Sequence, residues 1–491
     1  MRAVARHSPD KVALVEGGLT RTYRQFVERA DRVGAMLRAL GLRFGETAAI
    51  LAPNCIDYIE VLVGAASVGV AVATINPRLL AHEVEAICAD CGARVLFVHP
   101  SLEALVRDRP PAAIEHVIVF GAPYEAAIGR ANGARLPRIE EWDAFSIPYT
   151  SGTTGQPKGV VLSNRSRVMT YFGMASEFAC YGPSDRFLAI APLYHGAGLA
   201  FAMASIYFGG TCEILPQFDP EQVIRRIGLD VTGVFMVPTH FHAIFALEAP
   251  VIELARRHRL RTIVSNAAPL AQRTKEEIVA LWGEGVLHET YGSTEAGIVT
   301  NLRPEFQLSK QRCVGKPFPC TSVKLVDDAN QEVAPGEIGE LFSISPFLFN
   351  GYFGKPTETA EAMRDGWFSA GDLAVRDEEG FIYIVDRKKD MIITGGVNVY
   401  PREIEEVLFR HPAVAEAAVI GLPDEKWGES ITAVVVKRRG ADVSEDDLLA
   451  HCKSTLATFK LPRRVVYAET LPKNAAGKIL KRELRASFGA R

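Results

Sequence analysis

Tyr149-Thr150-Ser151-Gly152-Thr153-Thr154-Gly155-Gln156-Pro157-Lys158-Gly159 is a run of hydroxyl residues and glycines that closes on proline, lysine and glycine. The glycines let the backbone turn tightly and aim N–H groups at anionic oxygens, while the hydroxyls donate further hydrogen bonds. Lys158 adds a mobile positive charge. The run lies between Ser146-Ile147-Pro148 and Val160-Val161-Leu162, which reads as strand, loop, strand. A P-loop would place Lys followed by Ser or Thr at the start of a helix. Here Lys158 follows Pro157 and precedes Gly159 and two β-branched residues, so that reading fails. On composition alone the run is equally a surface turn.

Working outward, 491 residues exceed one compact core, and two or more domains are expected. A net charge of −3 gives no electrostatic case for nucleic acid as a partner. No apolar stretch approaches a membrane span, and Met1 to His7 lack the apolar core of a secretory signal, so a cytoplasmic location is expected. Eight cysteines are scattered. Only Cys88 and Cys91 are suggestively spaced, and without a second such pair they read as helix-end thiols rather than a zinc site.

Apolar strands alternate with helical patterns along the first part of the chain. Lys11 to Tyr23 reads as a hairpin, Phe26 to Leu37 as a helix, Thr47–Leu51 and Ala71–Thr74 as buried strands, with a helix from Asp57 to Val68 between them. The pattern implies an α/β fold with largely parallel sheets. Residues 100–145 are weakly patterned. Further strands end in polar turns: Pro192-Leu193-Tyr194-His195-Gly196, Ser265-Asn266-Ala267-Ala268-Pro269-Leu270 and Tyr291-Gly292-Ser293-Thr294-Glu295. Tyr291 offers a flat face to a base, Gly292 permits close approach of a substrate, Thr294 can bond a phosphate, and Glu295 can hold a hard cation. Asn266 tolerates left-handed backbone in its turn. Asp372 closes Gly366-Trp367-Phe368-Ser369-Ala370-Gly371-Asp372 and can accept from two hydroxyls at once. A charge cluster, Asp386-Arg387-Lys388-Lys389-Asp390, then precedes Gly395-Gly396, and Gly477-Lys478 stands near the end.

These motifs, in this order, resemble those of the adenylate-forming superfamily of acyl-CoA synthetases, adenylation domains and luciferases. The resemblance spans roughly residues 8–486 and is most like a stand-alone acyl-CoA or aryl-CoA synthetase. It implies a large N-terminal domain (1–386) of α/β subdomains with a small β-barrel-like subdomain. A hinge at 387–390 pivoting on Lys389 and a small mobile α+β C-terminal domain (391–491) would follow. It further implies Thr150, Lys158, His195 and Lys478 as catalytic, with His195 gating thiol entry and Lys478 acting in adenylation. Ser151, Gly152, Thr153, Thr154 and Gly155 would hold phosphate. Ala267, Ala268, Pro269, Tyr291, Gly292, Ser293 and Thr294 would hold the nucleotide, and Asp372 and Arg387 its ribose. Glu295 would bind Mg²⁺, and Gly395 and Gly396 would border the pantetheine arm.

The activity so implied is ATP-dependent activation of a carboxylic acid as acyl-AMP, then transfer to coenzyme A. With no arginine beside Tyr291 or in Pro192 to Phe201, a monocarboxylic acid is favoured, fatty or aromatic. Gly196, Ala197 and Gly198 would leave room at the gate, and Phe172, Phe201, Phe235, Met236 and Phe241 are candidate apolar walls. The alternatives are an enzyme loading a carrier protein, a luciferase-type oxygenase, and a non-catalytic nucleotide-binding protein. Homo-oligomerisation is left open.

Overall fold

The computed structural model describes residues 1–131, 137–151, 157–473 and 479–489. The chain forms two compact units: residues 1–323 with 343–368, and residues 324–342 with 369–491.

The first unit holds two large sheets. One has nine strands in the order Lys316–Pro317, Gly297–Leu302, Leu287–Ser293, Thr262–Ser265, Gly233–Met236, Arg186–Ala189, Thr211–Ile214, Val12–Glu16, Leu19–Thr22. Its six central strands, from Leu287–Ser293 to Val12–Glu16, are parallel, and antiparallel hairpins close both edges. The other runs His116–Val119, Ala93–Val98, Thr47–Leu51, Ala71–Ile75, Ala144–Ser151, Pro157–Gly159, parallel except at the last pair. Thr47–Leu51 and Ala71–Ile75 are buried at every position, as parallel strands covered on both faces are. The helix Tyr23–Ala39 starts at Thr22, whose hydroxyl and the Gln25 side chain form a reciprocal cap. Its partner Ile56–Ala66 packs against it through the core that holds Phe26, Val33, Ile59 and Leu62.

Residues 100–145, weakly patterned in sequence, contain the strand His116–Val119 and the helix Ala122–Arg130. Tyr124 of that helix is buried against Phe97 and Phe120, and its hydroxyl donates to Glu60 at 3.0 Å. Cys88 and Cys91 are buried free thiols at the end of the helix Ala81–Asp90.

The second unit contains an antiparallel arrangement in which Ile338–Glu340 pairs with Asp372–Arg376, and that strand with Ile382–Arg387. It also holds a sheet in the order Val397–Val399, Ile392–Thr394, Gly428–Lys437, Val414–Asp424, with Arg464–Tyr467 parallel to Gly428–Lys437. The helices Pro401–Phe409 and Glu445–Lys453 share a core with that sheet through Ile404, Val407, Leu448 and Cys452.

Candidate active site

In the first unit the candidate turns all follow the carboxyl ends of parallel strands, where open α/β sheets bind ligands. The phosphate-loop run begins within Ala144–Ser151 and ends in Pro157–Gly159, and the pairing of these strands sets Thr150 opposite Lys158. Gly152, Thr153, Thr154 and Gly155 lie outside the described residues, as does Lys478. The Tyr149 hydroxyl donates to Asp90 Oδ2 at 2.6 Å, and Lys355 Nζ lies 3.2 Å from the other oxygen of Asp90. The Lys158 ammonium stands 5.0 Å from the centroid of the Tyr352 ring. The hydroxyl of the same tyrosine donates to Glu295 Oε1 at 3.0 Å. Burial and the Glu295 carboxylate push the Tyr352 hydroxyl far above its ordinary range, so it stays protonated and donates.

His195 precedes the helix Gly196–Tyr207. Burial, reinforced by the charge of Arg78, lowers its pKa to about 4, which keeps the ring neutral near pH 7. Its loop is fixed by the buried side chain of Asn54. The Asn54 amide donates to Ala191 O and Leu215 O at 3.0 and 3.2 Å and accepts from Leu193 N at 2.8 Å. Thr74 Oγ1 donates to Tyr194 O at 2.9 Å. A Cβ on Gly196 would meet Thr294 Cγ2 at 3.1 Å, so the His195 loop adjoins the acidic hairpin. A Cβ on Gly198 would lie 2.3 Å from Pro192 O. That glycine therefore seats the helix on its own loop and leaves no vacant room.

Tyr291, Gly292 and Ser293 end the strand Leu287–Ser293, with Thr294, Glu295 and Ala296 at the tip of the hairpin to Gly297–Leu302. Ser293 Oγ accepts from Ala296 N at 3.1 Å, and Glu295 O accepts from Phe349 N at 2.8 Å. A Cβ on Gly292 would fall 1.9 Å from Gly297 O. Glycine is thus required there by the hairpin itself, before any substrate approaches.

In the turn after Thr262–Ser265 the left-handed residue is Ala267, with φ of 76°, rather than Asn266. Asn266 Nδ2 donates to Thr290 Oγ1 at 2.8 Å, and its carbonyl oxygen accepts from Ala267 N. The side chain thus ties its turn to the neighbouring strand. Ala268 and Pro269 complete the turn, whose far end is held by Glu289 Oε1 accepting from Leu270 N at 3.0 Å.

The candidate apolar walls divide. Phe201 and Phe235 stack face to face at 4.5 Å, within the core that also holds Phe178 and Phe187. Met236 and Phe241 are fully buried in a separate cluster. Phe172 is 52% exposed, with its ring against Tyr207 and Phe208 at the surface.

In the second unit, the strand register sets Asp372 directly opposite Arg387, and their side chains pair at 3.0 Å. Lys388 Nζ reaches Asp328 at 2.7 Å and Glu340 at 3.2 Å, while Asp390 pairs with Arg485 at 3.0 Å. Burial, then the charge of Arg387, lowers the pKa of Lys389, which lies between them in sequence. Gly395 and Gly396 are both left-handed, joining Ile392–Thr394 to Val397–Val399 as a two-residue hairpin turn requires. The Gly395 N–H donates to Trp427 O at 2.8 Å.

Tyr352, Asn54, Arg78 and Asp90 were not singled out by the sequence reading. Asn54 carries a usable signal, a polar residue just past the apolar run Ala48 to Pro53. Tyr352 carries less, a tyrosine between Gly351 and Gly354.

With this geometry in place, comparison with known proteins assigns the family. Residues 1–353 match the family model described as AMP-binding enzyme, and residues 403–478 the model described as AMP-binding enzyme C-terminal domain. The chain is 36% identical to a feruloyl-CoA synthase from an Amycolatopsis species, over 99% of this chain and 97% of that protein. It is also 36% identical to a long-chain-fatty-acid–CoA ligase of Mycobacterium tuberculosis, over 100% of this chain and 98% of the relative. Among solved structures, ATP-bound MatB from Rhodopseudomonas palustris superposes with a TM-score of 0.90 at 30% identity, covering 99% of this chain and 98% of that one. The o-succinylbenzoate CoA synthetase of Bacillus subtilis, in complex with its acyl-adenylate intermediate, gives 0.87 at 29% identity, covering 99% and 97%. The chain belongs to the AMP-binding enzyme family. Within it, the chain is an AMP-forming acid–thiol ligase.

Proposed function

We propose that this enzyme converts a monocarboxylic acid, aromatic or fatty, into its coenzyme A thioester by way of an acyl-adenylate. The observation that carries the reading is the contact of Gly196 with Thr294, which sets the His195 loop beside the acidic hairpin. A thiol arriving past His195 would thus reach an acyl-phosphate anhydride held at that hairpin. The acid's carboxylate attacks the α-phosphorus of ATP and pyrophosphate leaves. The thiolate then attacks the acyl carbon and AMP leaves. His195 is neutral in this scheme: it orients and gates, because a carboxylate is already ionised near pH 7 and needs no general base. Thr150 and Lys158 act on the phosphates, with Ser151 to Gly155. The nucleotide lies along Ala267 to Pro269 and Tyr291 to Thr294. Positioning and charge stabilisation supply most of the rate, as in other phosphoryl chemistry.

Mg²⁺ fits the donor chemistry. Glu295 supplies one hard oxygen, and among the described residues no group of three or more His, Cys, Asp or Glu gathers that could cage a metal. One carboxylate plus phosphate and water oxygens is a usual Mg²⁺ set. When bound, the ion neutralises phosphate charge. Asp372 with Arg387 is assigned to the ribose, Gly395-Gly396 to the pantetheine arm and Lys478 to adenylation. A hinge over 387–390 pivoting on Lys389, between functional domains 1–386 and 391–491, also belongs to the proposal.

No helix among the described residues is long and apolar enough to cross a membrane. A cytoplasmic location belongs to the proposal, as the compartment of its substrates ATP and coenzyme A. A second reading has a specific basis. A fatty acid–[acyl-carrier-protein] ligase of Streptomyces coeruleorubidus is 35% identical over 99% of this chain. A panel of carboxylic acids, assayed for AMP release with coenzyme A and separately with a phosphopantetheinylated carrier protein, tests both. Turnover with coenzyme A supports the main reading, and turnover with the carrier alone replaces it.

A further inference from the structure

Two opposite charges of the proposed nucleotide site, Lys158 and Glu295, meet the same side chain and not each other. Lys158 Nζ lies over the Tyr352 ring at 5.0 Å, and the Tyr352 hydroxyl donates to Glu295 Oε1 at 3.0 Å. Among the described residues no ion pair joins the lysine to the glutamate.

Tyr352 is itself held from both sides. Its segment pairs with the strand that leaves the phosphate loop: Val161 N donates to Gly351 O at 3.0 Å, and Phe353 N donates to Gly159 O at 2.8 Å. Tyr352 N donates to Thr359 Oγ1 at 2.9 Å. On the other flank, Phe349 N donates to the Glu295 carbonyl at 2.8 Å, and the Phe349 ring meets the Tyr352 ring edge-on at 5.0 Å. One short segment therefore registers the phosphate-loop strand against the acidic hairpin, with Tyr352 at its centre.

We propose that Tyr352 is a positioning residue that holds Lys158 and Glu295 apart and presents both to the triphosphate. The physical need follows from the charges. An ammonium and a carboxylate free to meet in a half-buried cleft attract strongly. Their pairing would withdraw the lysine from phosphate and the carboxylate from a cation. Tyr352 gives each a weaker partner that nucleotide and metal can displace: a ring face for the ammonium and a neutral hydroxyl for the carboxylate. The two functions use different parts of the side chain, so they separate by substitution.

This inference rests on the proposed nucleotide site, and the experiment distinguishes the two. ATP binding is measured by calorimetry, once with EDTA and once with Mg²⁺, for the natural protein, Tyr352→Phe and Tyr352→Leu, with thermal melting to confirm folding. Tyr352→Phe keeps the ring and loses the hydroxyl. It should retain metal-free ATP affinity and lose about tenfold or more of the gain that Mg²⁺ brings, as expected for a hydrogen bond to a charged group. Tyr352→Leu loses the ring as well, and its metal-free affinity should fall a further ~threefold or more. Natural protein that binds ATP while Tyr352→Phe keeps the full Mg²⁺ gain overturns the positioning role alone. So does Tyr352→Leu matching Tyr352→Phe. Natural protein that binds no ATP overturns the nucleotide site and this inference together.

Discussion

Lys275 Nζ lies 2.5 Å from Glu289 Oε2, with both residues buried, while the other oxygen of Glu289 accepts from Leu270 N. This ion pair locks the helix Gln272–Trp282 and the strand Leu287–Ser293 to the end of the Ala267–Leu270 turn. A buried pair adds little net stability, but removing one partner strands a charge. Lys275→Met should therefore lower unfolding free energy by about 3–5 kcal/mol in denaturant titration, and Lys275→Met with Glu289→Leu by clearly less. Equal losses in the single and double variants would contradict the pair's role.

The turn beside it supplies a second prediction. Ala267 is left-handed, and Asn266 bonds Thr290. Ala267→Gly should hold or raise stability, because a left-handed residue with Cβ costs roughly 1–2 kcal/mol. Asn266→Gly should lower it by about 1 kcal/mol through the lost hydrogen bond and added chain freedom. Ala267→Gly should melt at or above the natural protein and Asn266→Gly below it. The opposite order would return the left-handed position to Asn266.

The sequence placed this turn correctly and its special residue one position early. Asn is the commoner left-handed side chain, and only the bond to Thr290, 24 positions away, reveals what Asn266 does. Gly292 is a similar case. Its glycine was legible as a requirement for close approach, but the approaching atom is the Gly297 carbonyl across the hairpin. The parallel strands and their terminal turns could be anticipated because periodicity and motif order report local structure, whereas the Asp372–Arg387 pairing emerges only from the strand register. The role of Tyr352 could not, since it depends on Gly159–Val161 and Phe349–Phe353 lying side by side. His116–Val119 was missed although Val117 to Phe120 form an apolar run, and Ala122–Arg130 was missed because it buries only Tyr124 and Ile128, Tyr124 against Phe97 and Phe120.

Stability should also respond to pH through Asp57. Burial, then the neighbouring Glu60 carboxylate, raises its pKa to about 7 against the opposing pull of Arg29, with Glu125 and Glu16 adding in the same direction as Glu60. The folded state then holds this proton more tightly than the unfolded chain. The group's contribution is fully present below about pH 4 and is lost as pH rises through about 7. Asp57→Asn should flatten that segment of the stability–pH curve, by about 2–4 kcal/mol between the two ends. His240 and His288, each lowered to about 4 by burial, act in the opposite sense below about pH 6.5. An Asp57→Asn curve parallel to that of the natural protein would refute the assignment.

The proposed division of chemistry between Lys478 and the hinge predicts separable half-reactions. Lys478→Ala should slow acid-dependent pyrophosphate exchange by roughly 10²–10³ while leaving thiolation of supplied acyl-AMP nearly intact. Lys389→Pro should do the reverse, keeping adenylation and losing thioester formation. Equal losses in both assays for Lys478→Ala, or retained thioester formation in Lys389→Pro, would refute this division.

The most direct test of the whole account is a single-enzyme balance: ATP consumed against AMP, pyrophosphate and acyl-CoA formed, across aromatic and fatty monocarboxylic acids with coenzyme A present. The account predicts equimolar AMP, pyrophosphate and thioester with at least one acid of these classes, and pyrophosphate exchange with that acid when coenzyme A is withheld. ADP in place of AMP, or acid-independent ATP cleavage with no thioester, would contradict it.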